Sequence, residues 1–332
     1  MSIRPYRRIE KAHWDDIHGF IYNRGRIISG SKDGSLKFWN ANGELLNSFE
    51  SSNKGYKFWV TALENFDDGH FAVGTRDGTI TVFDMKDEVV FNANNVSDQT
   101  FPKPISKKRN QQRIDCIKQL NERGKPHFFY VGVARNLQLW NLRDKKFIRS
   151  FKASDNDWVY CIEPFRNGDL IVVIGSTLEY WKKINNSYFQ KTSIIQETLE
   201  ERKSKQRPHI SSIVRLQKDQ NILAASLFTG HVKLIDIDTQ RVIKTFSEHE
   251  GRVWSVSNVN SYNFASSADD RTIKIWDVRQ NSSVLTLSGN PGRVSSLMKL
   301  DEGIFISGSC PDKVFNSEEK ASISFWDIRK AL

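Results

Sequence analysis

Cysteine is scarce in this chain: three among 332 residues, with no CxxC pair. That excludes a disulfide framework and fits a reducing compartment. Long apolar runs are missing too. The longest nearly uncharged stretch, Leu170–Leu178, is about half of the roughly 20 residues a membrane-spanning helix needs. The first sixteen residues, MSIRPYRRIEKAHWDD, carry charge where a signal peptide needs an apolar stretch. Export by that route is therefore not expected, and the expected location is cytoplasmic, with the nucleus as the alternative. Long amphipathic helices are absent apart from Gln196–Gln206, which reads as a short helix in a loop. Acidic residues are the minority, 39 Asp and Glu against 49 Lys and Arg, for a net charge of +10. Aromatic residues, by contrast, are plentiful: 21 Phe, 9 Trp and 8 Tyr. They supply enough material for a large core, which excludes wholesale disorder.

The aromatic residues recur in a pattern. SGSKDGSLKFWN (Ser29–Asn40) is echoed by VGTRDGTITVFD (Val73–Asp84) and SSADDRTIKIWD (Ser266–Asp277), with weaker copies ending at Asn141, Lys182, Asp236 and Asp327. The anchors are Trp39, Phe83, Trp140, Trp181, Ile235, Trp276 and Trp326, spaced 41 to 57 residues apart. Such a period is close to that of a four-stranded propeller blade with loop insertions. Ahead of each anchor stands an apolar pair three residues apart: Ile17/Phe20, Val60/Leu63, Ile114/Ile117, Val159/Ile162, Ile210/Ile213, Val253/Val256 and Val294/Leu297. Short β-rich runs such as LLNSFE and RVIKTFS follow the anchors, so each repeat reads as four strands separated by turn residues. After Trp326 only six residues remain, too few for another strand. Ile9 precedes Ile17 by eight residues, as Phe151 precedes Val159. The N-terminal strand is therefore expected to complete the last repeat and seal the ring non-covalently.

On these residues the chain resembles a WD-repeat β-propeller with seven blades. The resemblance implies an all-β single domain over 1–332. Its blades fall at about 12–50, 51–95, 110–152, 153–195, 206–247, 248–289 and 290–332, with a closing strand at 3–11. Two repeats match the family's hydrogen-bonded tetrad: His13, Ser29, Asp33 and Trp39 in the first, and His249, Ser266, Asp270 and Trp276 in the sixth. The second has Tyr56 where the histidine belongs. The role this implies is structural, a buried His bridging a hydroxyl and a carboxylate with the indole closing the network.

Chemistry-bearing motifs are otherwise sparse. HWDDIH (His13–His18) has the composition of a metal site, but His13 falls on a tetrad position and His18 on a strand. GTRDG and SGSKDG lack the Lys-Ser/Thr of a phosphate loop, and no GxSxG is present. Cys116 and Cys161 occupy equivalent strand positions and read as packing residues. The expectation is a protein that is not an enzyme, with no cofactor, no metal and no small-molecule substrate. WDxR occurs twice, ending at Arg279 and Arg329. It resembles the motif by which substrate receptors of a cullin-RING ubiquitin ligase dock a propeller adaptor through the bottom of the blades.

In a propeller of this kind the fourth-to-first-strand loops and second-to-third-strand turns form the top face. The residues just before each first-strand anchor are Asp16, Trp59, Arg113, Trp158, His209, Arg252 and Arg293. Those just after it are His18, Thr61, Asp115, Tyr160, Ser211, Trp254 and Ser295. Lys32, Arg76 and Asp269 precede the hairpin aspartates. The candidate partner-binding set is Lys32, Trp59, Arg76, Arg113, Trp158, Tyr160, His209, Arg252, Trp254 and Arg293. Basic insertions at Lys103–Arg113 and Arg202–Arg207 fall on the same face, and Cys310–Ala321 lengthens the seventh turn. The expected function is a protein-interaction scaffold for an acidic or phosphorylated partner. The alternatives are an RNA-associated propeller and a ubiquitin-ligase substrate receptor.

Overall fold

Short runs rich in β-branched and aromatic residues, broken by turns, form 28 strands in the computed structural model. It describes residues 3–50, 59–94, 113–120, 127–154, 157–186, 188–195, 209–216, 221–310 and 320–331. Among these there is no helix, and so none long and apolar enough to cross a membrane. Tyr56, the Gln196–Gln206 segment and most of the three insertions lie outside the described residues.

β1 (Arg7–His13) precedes blade 1, which comprises β2 (Ile17–Asn23), β3 (Arg26–Ser31), β4 (Ser35–Asn40) and β5 (Leu45–Glu50). Blade 2 comprises β6 (Val60–Asn65), β7 (Phe71–Thr75), β8 (Thr79–Phe83) and β9 (Val89–Asn94). Blade 3 comprises β10 (Ile114–Gln119), β11 (Phe128–Val133), β12 (Asn136–Asn141) and β13 (Lys146–Lys152). Blade 4 comprises β14 (Val159–Pro164), β15 (Leu170–Ile174), β16 (Thr177–Asn185) and β17 (Tyr188–Ile195). Blade 5 comprises β18 (Ile210–Arg215), β19 (Ile222–Leu227), β20 (Val232–Asp236) and β21 (Arg241–Phe246). Blade 6 comprises β22 (Val253–Asn258), β23 (Asn263–Ala268), β24 (Ile273–Asp277) and β25 (Ser283–Leu287). Blade 7 comprises β26 (Arg293–Asp301), β27 (Ile304–Cys310) and β28 (Ala321–Asp327), and β1 adds to β28 as its fourth strand. Ile9 lies opposite Ile323 in that pairing. The seven sheets are the blades of a seven-bladed β-propeller, and the N-terminal strand closes it as the spacing of Ile9 and Ile17 predicts.

The residues fall into two compact units. One holds Met1–Phe20, Ser176–Glu179 and Ser193–Leu332; the other holds Ile21–Gly175 and Tyr180–Thr192. In the first, Phe246, Phe264 and Trp276 pack with Val253 and Leu234, and Phe305 and Trp326 pack with Ile273 and Val294. In the second, Phe38 and Phe71 pack with Val60 and Phe83. There Trp140 sits among Phe129, Ile114 and Val82, and Trp181 among Leu170, Val159 and Phe189. Truncating a fully buried aromatic of this kind costs about 3–5 kcal/mol.

Four of the anchor tryptophans also place their indole N–H. Trp39 donates to Ser29 Oγ at 2.8 Å, Trp276 to Ser266 Oγ at 2.7 Å and Trp326 to Ser307 Oγ at 2.8 Å. Trp140 donates to Gln138 Oε1 at 3.0 Å. In blade 6 the network is fuller. His249 Nδ1 lies 2.7 Å from Asp270 Oδ2, and its Nε2 lies 2.8 Å from Ser266 Oγ. A carboxylate only accepts, so Nδ1 carries the proton and Ser266 donates to Nε2. Burial opposes the charge on Asp270, but the hydrogen bonds from His249 and from Thr272 outweigh it and hold this carboxyl well below the usual range.

A bulge recurs on every described first strand from β6 onward. The register shifts between Val60 and Ala62, Ile114 and Cys116, Val159 and Cys161, Ile210 and Ser212, Val253 and Ser255, and Val294 and Ser296. One residue per blade is thereby left out of the ladder and its side chain re-aimed.

Candidate protein-interaction site

The bulged residues are Thr61, Asp115, Tyr160, Ser211, Trp254 and Ser295. Sequence spacing sets them on the upward surface together with the residues before the anchors. The hydroxyls instead join neighbouring blades. Thr61 Oγ1 donates to the Ile114 carbonyl, Ser211 Oγ to the Val253 carbonyl at 2.5 Å and Ser295 Oγ to the Ile17 carbonyl at 2.8 Å. The bulge turns a small polar side chain towards the next blade's first strand, where a backbone carbonyl accepts it.

The positions before the anchors behave differently. Their carbonyls accept from the first residue of the second-to-third-strand turn: Arg76 N–H to Trp59 at 3.0 Å, Ala134 to Arg113 at 3.0 Å, Gly175 to Trp158 at 3.1 Å, Phe228 to His209 at 2.8 Å and Asp269 to Arg252 at 3.0 Å. In three of these blades this bond brings two large top-face side chains together. The pairs so formed are Trp59 with Arg76, His209 with Phe228, and Arg252 with Asp269.

In the unit that holds blade 2, the guanidinium of Arg76 lies 3.9 Å from the centroid of the Trp59 ring, and Lys32 Nζ lies 4.6 Å from it. The neighbouring aspartates serve their own turns. Asp33 Oδ1 accepts from the Ser35 N–H and hydroxyl, and Asp77 Oδ1 accepts from the Thr79 N–H and the Thr75 hydroxyl. Gly34 and Gly78, with φ of 84° and 92°, let those turns close. Arg113 Nε lies 2.6 Å from Asp115 Oδ1. Burial pushes the Asp115 carboxyl up to about 7 against the pull of Arg113 and Arg76. Tyr160 is pushed up to about 12 by burial and by Asp115. Trp158 is half-buried.

In the unit that holds blades 5 to 7, the rings of His209, Phe228 and Trp254 meet in series, the first pair tilted at 5.3 Å and the second edge-on at 4.8 Å. Trp254 Nε1 donates to Asp269 Oδ1 at 2.6 Å. Arg293 lies 5.9 Å from the Trp254 centroid and donates to both oxygens of Asp16 at 2.6 and 2.8 Å. Burial opposes the Asp16 charge, but a hydrogen bond from Cys310 and the charge of Arg293 hold it below the carboxylate range. Burial and Asp16 push Cys310 up to about 12. Asp15, Asp16 and Cys310 stand close enough together to suggest metal ligands, but Asp16 is held by Arg293 and the thiol is protonated. Arg252, exposed, lies 5.5 Å from the Phe228 centroid and forms no ion pair among the described residues.

Of the sequence-predicted tetrads, the sixth comes together through the bonds described above. In the first, Ser29 meets Trp39. Arg279 and Arg329 are exposed at the opposite ends of blades 6 and 7. Each forks onto its own aspartate: Arg279 Nε and Nη2 to Asp277 at 2.9 and 2.6 Å, and Arg329 to Asp327 at 2.9 and 2.5 Å. Arg279 also lies 4.5 Å from the Tyr262 ring centroid. Sequence reasoning missed Phe228, although Leu227–Gly230 aligns with Thr75–Gly78 and sets Phe228 in the place of Arg76. It also missed exposed Trp14, against which Lys320 Nζ lies 3.0 Å from the ring centroid.

Comparison with known proteins agrees with this fold. The family model for the WD domain, G-beta repeat, matches residues 7–40, 43–84 and 240–277. Protein SPA1-RELATED 3 of Arabidopsis thaliana is 26% identical over 195 residues, 56% of this chain and 22% of that protein. DDB1- and CUL4-associated factor 10 of Xenopus tropicalis is 36% identical over 81 residues, 24% of this chain and 18% of that one. This chain thus spans about a fifth of the length of these relatives. The solved structure of U3-55K superposes with a TM-score of 0.74 at 14% identity, over 96% of this chain and 98% of that one, which speaks to the fold alone. The chain carries WD40 repeats at residues 7–40, 43–84 and 240–277 and folds as a seven-bladed β-propeller.

Proposed function

We propose that the chain is a non-enzymatic protein-interaction scaffold, and that the top-face surface of blade 2 takes an acidic or phosphorylated segment of a partner protein. The observation that carries this reading is the convergence of Arg76 and Lys32 on the Trp59 ring at 3.9 and 4.6 Å. Two cations against one indole set positive charge that attracts a carboxylate or phosphate, while the ring supplies contact area at little entropic cost. The turns that carry these side chains are fixed by their own aspartates, so little ordering remains to be done on binding. A peptide array probed with the full chain tests the reading. Acidic and phosphorylated peptides should be retained, and neutral and basic ones should not; equal retention of basic peptides overturns it. Affinity should also fall gently with salt, because a steep fall with log[salt] marks nucleic acid as the ligand.

A second reading is supported by the exposure of Arg279 and Arg329 at matching positions in blades 6 and 7, and by the name of the Xenopus relative. In it, the two arginines leave their aspartates and dock an adaptor of a cullin-RING ubiquitin ligase. Co-purification of that adaptor, lost on changing both arginines to alanine, distinguishes it.

A further inference from the structure

Asp115 stands where its counterparts Thr61, Ser211 and Ser295 each donate a hydroxyl to the next blade. An ionised carboxylate has no proton to donate. Its side chain is 3% exposed, its Oδ2 has no hydrogen-bond partner, and Oδ1 faces Arg113 Nε at 2.6 Å. The Arg113 side chain is 26% exposed, so the pair has one buried and one solvent-reaching member. The charged and titratable groups around Asp115 come from three elements. Arg113 and Cys116 belong to its own segment, and Arg76 to the β7–β8 turn. Tyr160 belongs to β14, with Asp157 ahead of it.

Resting on the reading that blade 2 takes an acidic segment, we propose that Asp115 is a proton-operated counter-ion of that surface. Ionised, it holds Arg113 and cancels part of the field of Arg76 and Arg113. Protonated, it releases Arg113 to a partner's carboxylate or phosphate. Burial lifts this carboxyl to about 7, which puts the exchange near neutrality. Reciprocity of linkage then requires an anionic partner to favour protonation of Asp115, and acid to favour the partner.

The probe is octaglutamate, whose side chains remain ionised from pH 6 to 8. Its own titration therefore does not enter, as that of a phosphate would. Isothermal titration of the full chain at constant salt should give about fivefold tighter binding at pH 6 than at pH 8, the size expected for one charge at the edge of the site. Asp115→Asn, permanently neutral, should bind at pH 8 as tightly as the wild type at pH 6, with the pH ratio reduced to near one. Asp115→Ser, which restores the hydroxyl found in other blades, should behave the same and guards against a folding defect in the first variant. A pH ratio retained in both variants overturns the inference and assigns the effect to histidines. Absence of octaglutamate binding at both pH values overturns the acidic-surface reading itself.

Discussion

Blades 2 and 6 carry the same repeat in the same register, yet their top-face ends are chemically opposite. Trp59 and Arg76 of blade 2 occupy the positions that Arg252 and Asp269 hold in blade 6, joined by the same backbone bond. In blade 6 both turn acids are taken up internally, Asp269 by the Trp254 indole and Asp270 by His249. In blade 2 the turn begins with a cation laid on an indole, and Asp77 turns inward to Thr75 and Thr79. The repeat thus decides which positions meet. The residues at two or three of them decide whether the meeting stabilises the fold or faces a partner. A closed network such as that of blade 6 is stiff because every member is satisfied.

The comparison can be broken in several ways. The largest effect is expected at Trp59: Trp59→Ala should weaken acidic-peptide binding by about 2 kcal/mol, roughly thirtyfold, with melting unchanged. Trp254→Ala should weaken it much less, because that indole is tied to Asp269; equal losses in a titration of the two variants would erase the distinction. Next in size, Asp270→Ala leaves His249 short of a buried partner and should cost about 1–3 kcal/mol in chemical denaturation. The folded-state pKa of Asp270 is depressed. Its contribution is therefore present above the unfolded value, near 4, and is lost as pH falls through the folded one. The variant should show a shallower loss of stability in acid, and an unchanged acid limb would contradict the network. Smaller still, Gly303→Ala should strain the β26–β27 turn, where φ is 67° and an added Cβ meets Arg329 Cγ at 2.7 Å. The expected destabilisation is about 1 kcal/mol, read as a lower melting temperature, with octaglutamate affinity untouched. Smallest of all, Arg279→Ala and Arg329→Ala should leave octaglutamate affinity unchanged.

The fold was legible because its strongest signal is local. Each blade needs one large residue at the same place on its third strand, and Trp39, Trp276 and Trp326 mark it. The closing strand was readable from the distance between Ile9 and Ile17. The bulge was also written in the sequence: apolar residues three apart, such as Val60 and Leu63, share a face of a strand only if an extra residue interrupts the alternation. Its consequence, hydroxyls bonding to the next blade, was not apparent, because it depends on a carbonyl supplied 42 to 278 residues away. Ser307 was hidden by the insertion before Trp326, which stretches their separation to 19 residues against 10 for Ser266 and Trp276. At the candidate site, Trp59, Arg76 and Lys32 were legible as positions, whereas their convergence on one ring was not. Nor could spacing reveal that Asp16 neutralises Arg293 or that Asp115 is buried, because both follow from tertiary packing.

The central claim is that charge and aromatic character at the blade 2 pair, absent from its blade 6 equivalent, create the binding surface. Exchanging the residues between the two blades tests it most directly. Octaglutamate binding should be lost in Arg76→Asp and kept or strengthened in Asp269→Arg, with both proteins folded by circular dichroism. Binding that survives Arg76→Asp, or that falls equally in both variants, would contradict the account.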